Sequence, residues 1–394
     1  MVAMDERPTD TQPQGEITYQ DFLKTGPGTL AGRYLRMFWQ PVYRSQDLAT
    51  GSAVPIKMMS EDFTLVRGDS GQAQLLAQRC AHRGSMLVTG WVEGDAIRCS
   101  YHGWKYDLTG QCVDQPAEPV PFCNTVRVRS YPTQEYLGLI FAYLGEGEPP
   151  AFPRLPDYED PEYTRDVEYL IWPCNYFTQL DNAVDQTHTS IAHWQFGRPI
   201  PEALVFHETD WGLDVSTQVD GAVRPPSHFL MPNAHEWGGA PRGDKVVWNY
   251  ACGWRVPVDD QHHARFAVEV IASKGEAAQR RQARRVGGND RALIEVAEAV
   301  MAGKVNGREL TPERYPEHQL TNIQDYYNLV GLGDVASQPP RERLGRSDLA
   351  IVALRGIWAR ELRAVAEGRP IKRWQRPDAL WGHVWEVAAD HVVD

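Results

Sequence analysis

CAHRGSMLVTGWVEGDAIRCSYHGWKYDLTGQC, residues 80 to 112, holds two short segments of matching character: Cys80-Ala81-His82 and, sixteen residues on, Cys99-Ser100-Tyr101-His102. Each offers one thiol and one imidazole on what reads as a loop between short strands. Four soft or borderline ligands on two such loops predict a metal site. Tetrahedral zinc is one reading. Zinc fingers, however, group their cysteines together and their histidines together, whereas here each loop supplies one of each. That alternation suits a binuclear iron-sulfur cluster in which one iron takes both thiolates and the other both imidazoles. Trp104, two residues past His102, either shields the cluster or fills the core beside it.

Outward from this stretch, residues 38 to 145 are short runs of β-branched and aromatic residues broken by turn signals, for example FTLVR (63 to 67), AQLLAQR (73 to 79) and YLGLIFAYL (136 to 144). They predict an all-β module. GEGEPPAFPRLPDYEDPE (145 to 162) has the Pro, Gly and acidic content of a surface linker. Beyond it, 168 to 177, 245 to 258 and 265 to 273 read as strands, and 178 to 194 has helical spacing. A charged helical pattern spans 276 to 303. Another spans 348 to 368, with an apolar face through Ile351, Leu354, Ile357, Trp358 and Leu362, and ends at Gly368. The expected class is α+β: residues 1 to 37 a tail and lead-in, 38 to 148 the all-β domain, and 157 to 394 an antiparallel-sheet domain of helix-grip-like form with C-terminal helices.

With 394 residues the chain can build two or three cores, too much for a small binding module. A formal net charge of -12 disfavours a nucleic-acid partner. The longest apolar run, 136 to 145, is well short of the roughly 20 residues of a membrane helix. Residues 1 to 16 are polar and acidic, unlike a signal peptide. Six cysteines are too sparse for a disulfide framework, so a reducing cytoplasm is expected.

The halves C-x-H-R-G and C-x-x-H-G-W within 80 to 112 resemble the Rieske domain of ring-hydroxylating oxygenase large (alpha) subunits. The resemblance implies that Cys80, His82, Cys99 and His102 hold a Rieske [2Fe-2S] cluster. It also places Ser85 and Tyr101 where respiratory Rieske proteins carry an additional cysteine pair. A potential toward the low end of the Rieske range, about -150 to +300 mV, follows, which suits a nicotinamide-driven donor.

A second constellation follows at Asp185-Gln-Thr-His188-Thr-Ser-Ile-Ala-His193, a D-x-x-H-x4-H pattern. On an ideal helix Asp185 and His193 fall about 60° and 140° from His188, all on one side. Two neutral imidazoles and a carboxylate leave coordination positions open, as Fe(II) needs to bind O2 beside a substrate. Bringing both imidazoles to one metal predicts that the helix bends or tightens between Thr189 and His193. The family resemblance extends through this segment and maps the iron histidines onto His188 and His193. It implies that Asp185 is not a ligand but links His188 to His102 of a neighbouring subunit, and hence a trimer with electron transfer between subunits. The third ligand then comes from farther on, where Asp325, Asp334 and Asp348 are available. The stretch 323 to 356 resembles the phthalate dioxygenase-like branch of aromatic-acid hydroxylases and O-demethylases, and this selects Asp325.

Substrate-pocket candidates are Phe177, Asn182, His207, Phe229, Met231 and Trp248, with His228, His235 and Tyr250 beside them. Arg224, Arg242 and Arg255 are candidate anchors for an anionic substrate. The expected function is the terminal oxygenase of a multicomponent system. It would take electrons from a separate NAD(P)H-dependent reductase, directly or through a ferredoxin, and use O2 to hydroxylate or O-demethylate an aromatic, carboxylated or methoxylated compound. One alternative is a monooxygenase or demethylase of a non-aromatic or N-methyl substrate. Another is a Rieske electron carrier without oxygenase activity, which would leave about 240 residues and the second constellation unexplained.

Overall fold

The computed structural model describes residues 16–160, 164–238, 249–271, 290–315, 317–339, 341–378 and 380. Eleven strands make up the N-terminal half: β1 (Trp39–Arg44), β2 (Ser52–Met58), β3 (Glu61–Arg67), β4 (Ala73–Ala77), β5 (Trp91–Val92), β6 (Ala96–Arg98), β7 (Lys105–Asp107), β8 (Cys112–Asp114), β9 (Ser130–Tyr131), β10 (Thr133–Tyr136) and β11 (Leu139–Tyr143). They form three antiparallel sheets in the orders β1-β11-β10, β2-β3-β4-β9 and β5-β6-β7-β8. The run 136 to 144 is a hairpin, turning through Leu137 and Gly138 at positive φ. A small core of Val66, Leu76, Leu87, Ile97, Trp104 and Tyr106 lies where the last two sheets meet and also contains Cys80 and Cys99.

The second half is one antiparallel sheet in the order β12-β19-β18-β17-β16-β14-β13, with the short β15 (Ala222–Val223) beside β14. Its other strands are β12 (Thr164–Trp172), β13 (Ala203–Glu208), β14 (Gly212–Val219), β16 (Ser227–Leu230), β17 (Ala234–Gly238), β18 (Asn249–Pro257) and β19 (His263–Ile271). Directly opposed residues of an antiparallel ladder share a face, and the faces alternate along each strand. On one face Tyr169, Trp254 and Phe266 meet the N-terminal domain, with Trp254 5.5 Å from Phe141 and Tyr169 5.7 Å from Tyr43 between ring centres. The other face carries Trp172 and His263. It is covered by α3 (Tyr176–Val184) and α6 (Glu317–Val330), through a hydrogen bond between His263 Nε2 and Gln179 Oε1 (2.8 Å) and the contact of Trp172 with Tyr326.

The lead-in and the linker differ from expectation. Residues 19 to 37 contain α1 (Tyr19–Leu23) and α2 (Leu30–Leu35), which belong to the core. Phe22 stacks on Phe177 at 4.9 Å and meets Trp358 of α7 (Leu349–Ala366) edge-on. The described part of the Pro-rich run, 145 to 160, lies packed rather than loose. Phe152 meets Trp39 and Phe141, and Tyr158 is fully buried against Tyr250. Aromatic burial of this kind, worth roughly 1.5–3 kcal/mol per large side chain, outweighs a composition that otherwise reads as linker. The predicted strand through 177 stops at Trp172. Pro173 has no N–H to continue the ladder, and the Asn175 side chain accepts from Phe177 N–H (2.9 Å) to start α3. Of the charged helix expected from 276, the described part is α5 (Asp290–Met301). The C-terminal helix runs as expected and ends before Gly368, at φ 66°. Among the described residues no helix is long and apolar enough to cross a membrane.

Candidate metal centres

The two cysteine-histidine loops are copies of one backbone turn. In the first, Gly84 N–H donates to the Cys80 carbonyl (2.9 Å) and Cys80 N–H to Ser85 (2.8 Å). In the second, Gly103 N–H donates to Cys99 (3.1 Å) and Cys99 N–H to Trp104 (2.9 Å). Both glycines have φ near 75°, the left-handed region that side-chain-bearing residues avoid. The turns bring the His82 and His102 rings to 4.5 Å and bury both thiols, which form no disulfide.

These residues fit a Rieske cluster. His82 Nδ1 is buried without a hydrogen bond among the described residues, which leaves its lone pair available to a metal ion. Burial first, and then the neighbouring Cys99, push the Cys80 thiol up, so this thiol resists ionisation until a cation arrives. Burial, together with His82 and Arg83, holds His102 below the ordinary histidine value and therefore neutral. Trp104 lies flat on His82 at 4.5 Å, with ring planes 8° apart, and so shields the site. Sequence reading missed Tyr106, whose hydroxyl lies 3.2 Å from Cys80 Sγ and accepts the Ala81 N–H.

In the second constellation, one helix across 178 to 194 is replaced by two pieces. α3 ends at Val184, Asp185 adopts φ -79° and ψ 93°, and a single turn, α4 (His188–Ile191), follows. Asp185 Oδ1 accepts the N–H groups of Thr187 (3.0 Å) and His188 (3.2 Å), which lets its side chain compete with the helical ladder. The regular turn then ends at Ala192, and His193 (φ -106°, ψ 39°) leads into a 3-10 turn, within the expected bend region.

These breaks bring His188, His193 and Asp325 together, with one ligand atom from each lying within 4.8 Å of the others. His193 Nε2 is 3.3 Å and His188 Nε2 3.7 Å from Asp325 Oδ1. Two donors each about 2.1 Å from one ion lie about 3.0–4.2 Å apart, so both of these separations suit a shared metal. Each imidazole is oriented through its other nitrogen. His188 Nδ1 meets the Asp185 carbonyl, and His193 Nδ1 lies 2.7 Å from Gln324 Oε1. Both partners accept hydrogen bonds, so both Nδ1 atoms carry the proton and both Nε2 lone pairs face Asp325. Gln324 in turn donates to Gln195 Oε1 (2.7 Å), and Gln195 donates to the Leu310 carbonyl (3.1 Å). Neither glutamine was singled out as a partner of His193. Gln324 immediately precedes Asp325 and so lies about 100° from it around α6.

Among the alternative carboxylates, Asp334 accepts from Ser337 N–H, and Asp348 from Gly345 N–H at the start of α7. The pocket candidates separate. Phe229 and His235 share the sheet face that looks toward α3 and α6. His207 and His228 point to the opposite face, both against Asp214, and the His207 side chain is 67% exposed. Tyr250 donates to the Asp157 carbonyl on that opposite face. Phe177 is enclosed by Phe22 and Trp358, Met231 is buried, and Asn182 is half-buried on α3. Arg224 is exposed and Arg255 buried. Trp248 and Arg242 lie outside the described residues.

The family profile for the Rieske [2Fe-2S] domain matches residues 38–132. The phenoxybenzoate dioxygenase alpha subunit of Ectopseudomonas oleovorans is 31% identical over 292 residues, 64% of this chain and 68% of that protein. The 5,5'-dehydrodivanillate O-demethylase oxygenase subunit of a Sphingobium species is 27% identical over 376 residues, 91% of this chain and 82% of that one. The solved oxygenase of carbazole 1,9a-dioxygenase, in complex with ferredoxin and bound to fluorene, shares the fold at a TM-score of 0.63 and 18% identity, covering 87% of this chain and 99% of its own. A matched cluster domain, a second histidine-histidine-aspartate site and an alpha-subunit relative aligned over two thirds of its length leave one assignment: the chain belongs to the Rieske non-heme iron oxygenases, as an oxygenase (alpha) subunit.

Proposed function

We propose that this subunit hydroxylates or O-demethylates a carboxylated or methoxylated aromatic compound, and that His188, His193 and Asp325 hold the iron at which this happens. The carrying observation is the convergence of two Nε2 lone pairs and one carboxylate oxygen within 4.8 Å. When bound, the cluster supplies electrons one at a time and the ferrous ion activates dioxygen.

The protein's own residues set the conditions. Cys80, Cys99, His82 and His102 present the cluster at a surface where Tyr101 is 58% exposed, open to an electron donor or a neighbouring subunit. Asp185 holds the His188 Nδ1 proton through its carbonyl and keeps its carboxylate 3.7 Å from the same nitrogen. That carboxylate is the residue to bridge toward His102 of an adjacent subunit in a head-to-tail trimer. Gln324 fixes the His193 ring, and the sheet face carrying Phe229 and His235 walls the substrate side. An NAD(P)H-dependent reductase, with or without a ferredoxin, completes the system. The two relatives whose names include phenoxybenzoate and dehydrodivanillate support the substrate class.

The test is substrate-dependent O2 uptake with a surrogate reductase across a panel of aromatic acids and methoxylated aromatics. Liberated formaldehyde marks demethylation, and a cis-diol or phenol marks ring attack. No uptake with any member would overturn the substrate class.

A further inference from the structure

Arg255 is 6% exposed, on the face of β18 that looks toward the iron ligands. Other buried arginines meet a carboxylate: Arg67 pairs with Glu135, Arg265 with Glu168, and Arg376 with Glu236 and Asp157. Arg255 meets none. Its Nη1 donates to the Gly253 carbonyl (2.8 Å), and its guanidinium lies 5.7 Å from the Trp237 ring centre. Nε is buried without a partner, and Nη2 makes no hydrogen bond to the described residues. The Nε–Nη2 edge is one of those a carboxylate grips in bidentate fashion.

The surroundings favour an anion. Arg265 stands directly opposite Arg255 in the β18–β19 ladder, so two guanidinium groups share one patch of sheet. Burial first, then Arg265, draw Arg255 down to about 9, which still leaves it charged near neutral pH. His235 is opposite Gly253, diagonal to Arg255 on the same face, and its Nε2 is also buried without a partner among the described residues. Burial and Arg255 hold His235 well below the ordinary histidine value, so the ring is neutral and free to donate from Nε2. Arg255 and His235 share the sheet face covered by α6, the helix that carries Asp325, and Asp325 is among the charges that act on Arg255, as His188 is on His235. A cation buried without a carboxylate in direct contact is costly to the fold. Such a cost persists where a ligand supplies the missing charge.

We propose that Arg255, assisted by His235, binds a carboxylate of the substrate and so fixes which ring position faces the iron. This rests on the oxygenase reading of the neighbouring site and selects one of the three arginines that the sequence left open.

The test uses the metal-loaded protein and measures binding rather than turnover. Benzoate, p-methoxybenzoate and phthalate are each compared with their uncharged methyl esters by equilibrium titration, with inorganic sulfate as a competitor. At least one acid should bind roughly ten- to a hundred-fold more tightly than its ester. Arg255→Gln should remove that preference while iron content and cluster spectrum stay unchanged. Arg255→Met, which removes an uncompensated buried charge, should raise the melting midpoint. Equal affinity for acids and esters, a preference that survives Arg255→Gln, sulfate competing as well as the acids, or a lower melting midpoint in Arg255→Met would each overturn the assignment. Acid-selective binding without any O2 uptake would instead leave the anchor standing and count against the oxygenase reading.

Discussion

His193 Nδ1 and Gln324 Oε1 lie 2.7 Å apart, and the next residue in the chain is Asp325, whose Oδ1 is 3.3 Å from His193 Nε2. α6 therefore holds both ends of one imidazole, with a neutral amide behind and a carboxylate in front. Gln324→Leu should weaken Fe(II) binding by about 10–100-fold, the usual cost of losing a partner that orients a metal-bound histidine. The cluster's visible spectrum should not change. An unaltered Fe(II) dissociation constant in titrations of the iron-stripped protein would mean that the amide does not orient the ligand.

Asp185 has two separable duties. Its Oδ1 caps the turn of Thr187 and His188, whereas its charge sits beside His188 Nδ1. Asp185→Asn keeps an oxygen for the cap and removes the charge. We expect normal iron content and a normal cluster spectrum, with reduction of the mononuclear site slowed by about 10–100-fold in single-turnover experiments. Wild-type rates in Asp185→Asn would remove the residue from the electron route.

Tyr106 faces Cys80 Sγ at 3.2 Å. A hydrogen bond to this sulfur favours the reduced, more electron-rich cluster, so Tyr106→Phe should lower the potential. A difference of about 1.4 kcal/mol between redox states corresponds to about 59 mV for one electron, and a fall of that order is expected in protein-film voltammetry. No change would show that the contact does not discriminate between the redox states.

Arg376 ties the chain beyond α7 to the sheet, meeting Glu236, which is fully buried, and Asp157 at 2.8 Å. Arg376→Leu strips a buried carboxylate of the cation facing it, a change that costs about 3–5 kcal/mol. Urea unfolding should show this loss, and adding Glu236→Leu should recover much of it. A single variant as stable as wild type would contradict the pairing.

Much of the cluster site was legible because its requirements are local. Two Cys-His loops, each needing a glycine at positive φ, are written in contiguous residues, and Gly84 and Gly103 stand where the turns require them. His188 and His193 were legible for the same reason. Asp325 was reached through resemblance, since no spacing rule connects a residue on α6 to a turn some 130 positions earlier. The break at Asp185 was hidden because helical periodicity does not register a side chain that captures backbone N–H groups. Tyr106, Gln195 and Gln324 act across the fold, and residues 19 to 37 and 145 to 160 draw their order from aromatic contacts that composition does not encode. His207 shows the converse. It is the right residue type in the right half of the chain, but strand parity turns it to the other face.

Iron and acid-labile sulfide per chain, measured in wild type and in His188→Ala/His193→Ala, probe the second metal centre most directly. Wild type should hold one iron beyond the pair that matches the cluster sulfide, and the double variant should lose that iron alone, keep the cluster spectrum and form no product. Wild-type protein with no iron beyond its cluster, or a double variant that retains the additional iron, would contradict the assignment of His188, His193 and Asp325.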